Sequence, residues 1–401
     1  MQETSTSPAT ILQFRQDIEA QLRRHIREAL DVALAEELAA ALGSDRHERT
    51  DGRRGYRNGT VERTLTTPDG TRTVTVPRGR IGGSSDTTTE FHSQLLPRYA
   101  RRTREVDDAI LGCYLGGVNS RRIRTALKPL LGERHLSKSA VSRIVARLKA
   151  LVATWQGRDL STERYAVIFR DGFHLKVRLA KRVVSVPVLA ALGVADDGQK
   201  CLLQLRVAAS EAEVTWGALV TDLQQRGLAA PLLLVVDGNG GLKNALKQWE
   251  GVRIQRCTTH KLENLKAHCP PHARAEMKRD YDRIIYAEDG LGARAAYDAF
   301  AKKWATLCPA VAKSLHEAGL ELLTFYAFPK ETWKSIRTTN LIENLNREFR
   351  RRTKTQASFS TEAAALTVLY GLVAFGQIQL RKIDGHTKLP SFLEKEWKKV
   401  A

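Results

Sequence analysis

Cysteine is scarce in this 401-residue chain, and the five present (113, 201, 257, 269 and 308) are odd in number and scattered. That usage carries no disulfide framework, fits a reducing compartment and argues against an extracellular role. Long apolar runs are missing too. The longest, "VVSVPVLAALGVA" (183–195), contains Ser185 and Pro187 and is too short to span a bilayer. The start, "MQETSTSPAT", is polar and lacks a signal-peptide core. A soluble cytoplasmic protein without a membrane partner is expected. Acid is also in deficit, with 44 Asp and Glu against 64 Lys and Arg, a formal net charge of +20. Such an excess predicts long-range attraction to a polyanion, with nucleic acid the leading partner and association with the nucleoid its corollary. No segment recurs at a fixed period, which excludes a repeat architecture.

What is present describes a folded globular protein of two or three domains, 42% hydrophobic and 27% charged. Residues 1–48 hold an amphipathic helix over 8–42, with Ile11, Phe14, Ile18, Leu22, Ile26, Leu30, Leu34 and Leu38 at three- to four-residue steps. That stripe needs a partner, either the protein's own core or a second subunit. Residues 49–100 contain the Gly/Arg segment "RTDGRRGYRNGT" and a hairpin signature, Pro68-Asp69-Gly70 between alternating Val/Thr/Leu runs.

Residues 101–160 read as three short helices with tight joints, "REVDDAILGCYLGGV", "SRRIRTALKPLLG" and "SKSAVSRIVARLKALVATW", the last two opening on capping serines. Between 101 and 150 stand twelve Lys and Arg against four Asp and Glu. A helix-turn-helix that binds DNA through Arg121, Arg122, Arg124, Lys138, Ser139, Arg143 and Arg147 is one reading, and a purely structural trihelical linker is the other.

From residue 161 to about 260 apolar strands dominate: "RYAVIFRDG" ending at Asp171, then "HLKVRL", "VVSVPVLAALGVA" and "KCLLQLRVA". Ser210 and Glu213 form a capping box before a helix to about Arg226. "PLLLVVDG" is a buried strand ending at Asp237, "GLKNALKQWEG" a helix and "VRIQRC" another strand. Residues 261–335 turn helical, and 336–401 carry "RTTNLIENLNREFRRRTK" (337–354). The order resembles a ribonuclease-H-like domain split by a helical insertion before its last acidic residue. The expected fold is therefore multidomain α+β, with a helical, β-hairpin and helix-turn-helix region followed by a ribonuclease-H-like mixed α/β domain interrupted by an all-α insertion.

Helical phase puts Asn340, Glu343, Asn346, Arg347, Arg350 and Lys354 on one side of the 337–354 segment. Leu341, Leu345 and Phe349 mark the buried side, with Ile342 at its margin. Glu343 alone reads as a surface partner of Arg347, and Asp171-Gly172 and Asp237-Gly238 alone read as turns. Their conjunction changes the reading. A ribonuclease-H-like sheet sets its first and fourth strands side by side, which makes the two aspartates neighbours that Glu343 can join. Three close carboxylates repel one another without a cation, and hard oxygen donors suit Mg²⁺ or Mn²⁺, two of which can activate a hydroxyl and stabilise the leaving oxygen of a phosphodiester. Arg347, Arg350, Arg351, Arg352 and Lys354 would then hold the DNA backbone.

"RDGFHLKVR", "VVDGNGGLKNAL", "QRCTTHKLENL" and "FPKETWKSIRTTNLIENLNREFRRRTK", with "RRGYRNG" and "PRGRIG" nearer the start, resemble the blocks of the bacterial Mutator-type DDE transposases of insertion sequences. The likeness implies a catalytic, metal-binding triad of Asp171, Asp237 and Glu343. It also implies Mg²⁺-dependent cleavage and joining of double-stranded DNA at terminal inverted repeats and target, with a homodimer or higher oligomer in the synaptic complex. Cys257, His260, Lys176 and Asn340 are the candidate supporting residues. Cys257 and His260 with His268, Cys269 and His272 could also be read as zinc ligands, but the spacing is irregular and no structural zinc is expected. Trp304 and Trp333 read as core anchors before base-stacking groups. The rival from another class is a non-catalytic helix-turn-helix regulator with a nuclease-like domain.

Overall fold

The computed structural model describes residues 8–68, 70–82, 88–118, 122–128, 137–208, 213–238, 249 and 251–400. They form a mixed α/β chain of two compact units, Met1–Cys113 with Asn119–Ile144, and Tyr114–Val118 with Val145–Ala401.

The first unit opens with α1 (Pro8–Leu42), in which Leu34, Leu38 and Leu42 are fully buried. Four-residue steps align them on one side. Leu34 packs with Leu65, Val74, Val76 and Leu96, so this end of the stripe is covered by its own chain. The side chains of Ile11, Phe14, Ile18 and Leu22 lie outside the described residues. β1 (Gly55–Thr67), β2 (Gly70–Gly82) and β3 (Thr88–Glu90) form an antiparallel sheet in that order, and β1 begins inside the Gly/Arg segment. Asp69 of the expected turn is outside the described residues.

Three helices follow, α2 (Arg104–Leu115), α3 (Ile123–Ala126) and α4 (Lys138–Gln156). Ser137 caps α4, its Oγ accepting from the Ala140 N–H at 3.1 Å. The middle helix, expected over "SRRIRTALKPLLG", is a single turn in its described part, and its expected cap Ser120 is outside it.

The second unit is built on a five-stranded sheet. β4 (Tyr165–Leu179), β5 (Arg182–Ala195) and β6 (Lys200–Val207) form an antiparallel meander. After α5 (Glu213–Gln225) come β7 (Leu233–Val236) and β8 (Arg253–Arg256), which add in parallel on the other side of β4 and give the order β6-β5-β4-β7-β8. All four residues of β7 are buried, as suits an apolar run in a parallel strand. Ser210 and residues 241–248, expected as a cap and a helix, are outside the described residues.

One expectation is corrected here. "RYAVIFRDG" and "HLKVRL" are not two strands, and Asp171 does not end one. β4 runs unbroken through Asp171 because β5 pairs with it from Tyr165↔Ala195 to Leu179↔Arg182, so its backbone groups keep partners past the aspartate.

Beyond β8 the chain is helical: α6 (Thr258–His268), α7 (Arg274–Ile285), α8 (Gly290–Leu307) and α9 (Pro309–Ala318) surround a core that includes Met277, Ile284, Phe300, Trp304 and Leu315. Short 3-10 turns lead to α10 (Trp333–Ile336), α11 (Asn340–Thr353), α12 (Glu362–Ala374) and α13 (Leu389–Val400). α11 lies against β4, where Phe349 stacks on Phe173 with ring centroids 5.7 Å apart. Among the described residues no helix is long and apolar enough to cross a membrane.

Candidate active site

The parallel register of β4 and β7 pairs Phe169 with Val235, and two residues further along each chain stand Asp171 and Asp237. Asp171 is still in its strand, and Asp237 is the first residue past its own. Gly238 then takes a φ of 101°, and a Cβ there would come within 2.1 Å of the Arg256 guanidinium, so glycine is required at the turn. Turn chemistry at Asp237-Gly238 and a carboxylate aimed past the sheet therefore go together.

β8 ends beside β7, the Cys257 N–H donating to the Val236 carbonyl at 2.8 Å. Cys257 is the N-cap of α6 and His260 stands in its first turn. The Thr258 N–H donates to the Arg337 carbonyl at 3.0 Å and ties this corner to the segment entering α11. On α11 the buried apolar residues are Ile342, Leu345 and Phe349, which leaves Leu341 only partly buried, the reverse of the expected places of Ile342 and Leu341. Glu343 is in the first turn.

Asp171, Asp237 and Glu343 thereby line one cleft of about 300 Å³, shared with His260, Asn346, Arg347 and Arg350. Asp171 Oδ1 accepts from the Gly172 N–H at 2.9 Å and Oδ2 from Asn346 Nδ2 at 2.8 Å. Burial pushes the Asp171 carboxyl up to about 6 against those two bonds, and the negative charges of Asp237 and Glu343 push the same way. Glu343 Oε1 accepts from Thr339 Oγ1 and lies 3.9 Å from His260 Nδ1. No ion pair joins Glu343 to Arg347 among the described residues, so the surface-pair reading does not describe it.

Cys257 is buried, with Thr339 Oγ1 at 3.2 Å from its Sγ. Burial pushes this thiol up, but hydrogen bonds with His260 and Thr339 outweigh it and hold the group below its ordinary value. His260 is raised to about 9, first by its bond to Cys257, against burial, and then by the charges of Cys257, Glu343 and Asp237. Cys257, His260 and Glu343 offer ligand atoms that all lie within 4.8 Å of one another, the one such group of three among the described residues. His268, Cys269 and His272 are not part of it. Asp171, Asp237 and Glu343 line the cleft together but form no group that tight among the described residues. Their all-oxygen donor set suits hard dications such as Mg²⁺ or Mn²⁺.

The other candidate residues divide. Arg347 and Arg350 line the cleft, and Arg350 also lies over the Phe173 ring. Arg351 pairs with Glu348 at 2.8 Å, Arg352 bonds the Gln377 carbonyl, and Lys354 is exposed. Lys176 is an odd number of steps from Asp171 along β4, so the pleat turns it to the opposite face, where it is exposed. Asn340, at the start of α11, is exposed and outside the cleft lining. Arg143 and Arg147, one turn apart on α4, are exposed, as are Ser139, Arg122 and Arg124. Arg121 and the side chain of Lys138 lie outside the described residues. Trp304 is buried and donates to Asp280 Oδ2 at 3.1 Å, and Trp333 donates to the Phe328 carbonyl at 2.7 Å, so both serve as anchors.

The sequence does not mark Thr339 and Asn346 as site residues. For Thr339 the available signal was its place just before a helix that opens on Asn340, the position of an N-cap.

The model of the family described as "Transposase, Mutator family" matches residues 1–378. The transposase for insertion sequence element IS905 of Lactococcus lactis is 32% identical over 369 residues, 91% of each chain. That for IS406 of Burkholderia multivorans is 35% identical over 341 residues, 84% of this chain and 86% of the relative. That for IS256 in transposon Tn4001 of Staphylococcus aureus is 31% identical over 326 residues, 80% of each. With a family model spanning almost the whole sequence and relatives of matching length, the chain belongs to the Mutator family of transposases.

Proposed function

We propose that this protein is a DNA transposase that binds the terminal inverted repeats of an insertion sequence and cuts and joins DNA strands at a site formed by Asp171, Asp237 and Glu343. The observation that carries the proposal is the convergence, in one cleft with Arg347 and Arg350, of three carboxylates from β4, the end of β7 and α11. The sheet order, with the strand of Asp171 beside the strand of Asp237, supports a ribonuclease-H-like domain, and the helices between β8 and α11 form its insertion.

When bound, two Mg²⁺ or Mn²⁺ ions would supply an activated oxygen nucleophile and charge neutralisation at the leaving oxygen. Asp171, Asp237 and Glu343 are the residues to hold them. Arg347 and Arg350 bind backbone phosphate and fix the scissile bond over the carboxylates. Thr339 orients Glu343 through its hydroxyl and also bonds the buried Cys257 as well as His260, the latter a lining residue of the cleft. The reaction has two displacements at phosphorus. Water attacks first and a 3′-hydroxyl leaves; that hydroxyl then attacks a phosphodiester of the target strand and a second 3′-hydroxyl leaves. The helices α2 to α4, with Arg143 and Arg147 exposed, are read as a helix-turn-helix that binds the element's ends, and the working species as a homodimer or larger assembly.

A strand-transfer assay tests the proposal. Purified protein in Mg²⁺ is given labelled DNA carrying the element's ends and a target plasmid. Joined product is expected. Cleavage without joining would leave a nuclease, and binding without either would leave a regulator.

A further inference from the structure

Asn346 is 1% exposed in a helix stripe with Ile342, Leu345, Phe349 and Thr353, and whereas the Thr353 hydroxyl bonds the helix's own Phe349 carbonyl, the Asn346 amide is aimed off the helix. Its Nδ2 donates to Asp171 Oδ2 at 2.8 Å, while its Oδ1 is buried and accepts no hydrogen bond from the described residues. A buried carbonyl oxygen without a donor is costly to keep, and an apolar residue of similar shape would remove that cost. Stability alone does not account for this side chain.

Its position does. Asn346 is three residues from Glu343 on α11, so the two side chains share a face. It reaches across to the other end of the carboxylate cluster, 175 residues away in sequence. Phe349, one turn further along α11, stacks on Phe173, two residues beyond Asp171 on β4. The amide bond and the ring stack thus clamp the helix of one carboxylate to the strand of another. Asp171 Oδ1 is held from the other side by the Gly172 N–H, so each oxygen keeps one fixed donor and has lone-pair capacity left. The amide's orientation follows from chemistry, since only the NH₂ end can face an ionised carboxylate.

We propose that Asn346 is a positioning residue for divalent-cation binding: it fixes the orientation of the Asp171 carboxylate and its spacing from Glu343, and so sets the cation affinity of the cleft. This rests on the reading of Asp171, Asp237 and Glu343 as cation ligands. Groups that orient metal ligands commonly change affinity by about 10- to 100-fold when removed.

The test is direct Mn²⁺ binding to the full-length protein without DNA, followed by paramagnetic resonance of free Mn²⁺. It compares wild type, Asp171→Asn, Asn346→Leu and Asn346→Ala. Asn346→Leu keeps the volume and removes the unpartnered oxygen, so its thermal midpoint should equal or exceed that of wild type while Mn²⁺ binding weakens at least tenfold. Asn346→Ala, which covers the case of a leucine that does not fit, should weaken binding similarly. In DNA cleavage both variants should need more Mg²⁺ for half-maximal rate and recover much of the rate at saturation. If Asp171→Asn abolishes Mn²⁺ binding but both Asn346 variants bind like wild type, the role of Asn346 is refuted and the site stands. If Asp171→Asn binds Mn²⁺ unchanged, the carboxylate site itself is wrong, and this inference with it.

Discussion

Two regions of the second unit bury charge in opposite ways. Where the helical insertion meets the end of β8, Arg256 of the strand and Lys261 of α6 are each 2% exposed, and both bond Glu317 of the insertion, at 2.9 Å and 2.6 Å. Burial pushes the Glu317 carboxyl up, but the two cations outweigh it and hold it at about 2. Asp280 is likewise met by Lys303 at 2.6 Å and by Trp304 Nε1 at 3.1 Å. In the cleft, burial works on Asp171 with two other carboxylates beside it, and the group rises to about 6. Opposite charges packed together complete a structure, whereas like charges held together leave room for a counter-ion. The insertion reads as scaffold and the cleft as a site.

The largest effect expected is at Glu343. Glu343→Gln keeps size and the oxygen that accepts from Thr339 but removes the charge, and a neutral amide is a poorer ligand for a hard dication. Cleavage and joining in Mg²⁺ should fall at least roughly a hundredfold, about 2.7 kcal/mol of lost transition-state stabilisation. The metal-free midpoint should hold or rise, because one of three repelling carboxylates is gone. Wild-type rates in this variant would erase the distinction between cleft and scaffold.

Glu317→Ala should do the reverse. It leaves Arg256 and Lys261 buried without their shared partner and should cost about 2–3 kcal/mol in urea unfolding, less than a fully enclosed pair because Glu317 is itself half exposed. Activity per folded molecule should stay within about twofold, since no catalytic barrier changes. A large catalytic loss with unchanged stability would make the insertion part of the site.

Legibility in the sequence followed how local each signal was. Asp171 and Asp237 stand out because an apolar run stops at an Asp-Gly pair, and Glu343 because helical phase separates it from Leu345 and Phe349. The face of Lys176, opposite that of Asp171, is fixed only because the strand continues through Gly172, and that continuity comes from pairing with β5. Asn346 lies on the polar side by phase, yet the docking of Phe349 on Phe173 buries it, a tertiary contact no periodicity reports. Thr339 meets Cys257 across 82 residues, and nothing in "RTTN" signals such a partner. Local chemistry was readable, whereas the contacts that aim it were not.

A smaller effect concerns pH. A carboxyl raised in the folded state stabilises the fold below its unfolded value, and that contribution is lost as pH rises through the folded value, here about 6. Metal-free wild type should therefore fall behind Asp171→Asn by about 1–2 kcal/mol between pH 4 and pH 7, below the ~1.4 kcal/mol per unit ceiling because the group is partly solvated. Urea titrations in chelator across that range read the difference directly. Adding Mg²⁺ at pH 7 should close part of the gap by binding wild type alone. A constant offset at every pH would show that neither burial nor the neighbouring carboxylates raise the Asp171 carboxyl in the folded protein.

The smallest expected effect is the response to zinc removal, and it separates the two regions by their sulfur. In the insertion Cys269 is packed in the core with Met277 and Trp304, and Cys308 Sγ donates to the His268 carbonyl at 3.4 Å. Those thiols have packing and hydrogen-bond roles, and no zinc tetrad forms around them among the described residues. In the cleft Cys257 and His260 engage each other and Thr339, with Glu343 as the third potential ligand. A structural zinc site contributes folding free energy outright, so its loss would unfold the domain. Purified protein should therefore contain less than one equivalent of zinc, and a zinc chelator should shift the thermal midpoint by no more than about 1 °C, well under the 2–4 °C that even 1 kcal/mol produces in a domain of this size. Stoichiometric zinc whose removal unfolds the chain would turn Cys257 and His260 from neighbours of Glu343 at the cleft into a structural centre, and the cleft could no longer be contrasted with the scaffold around it.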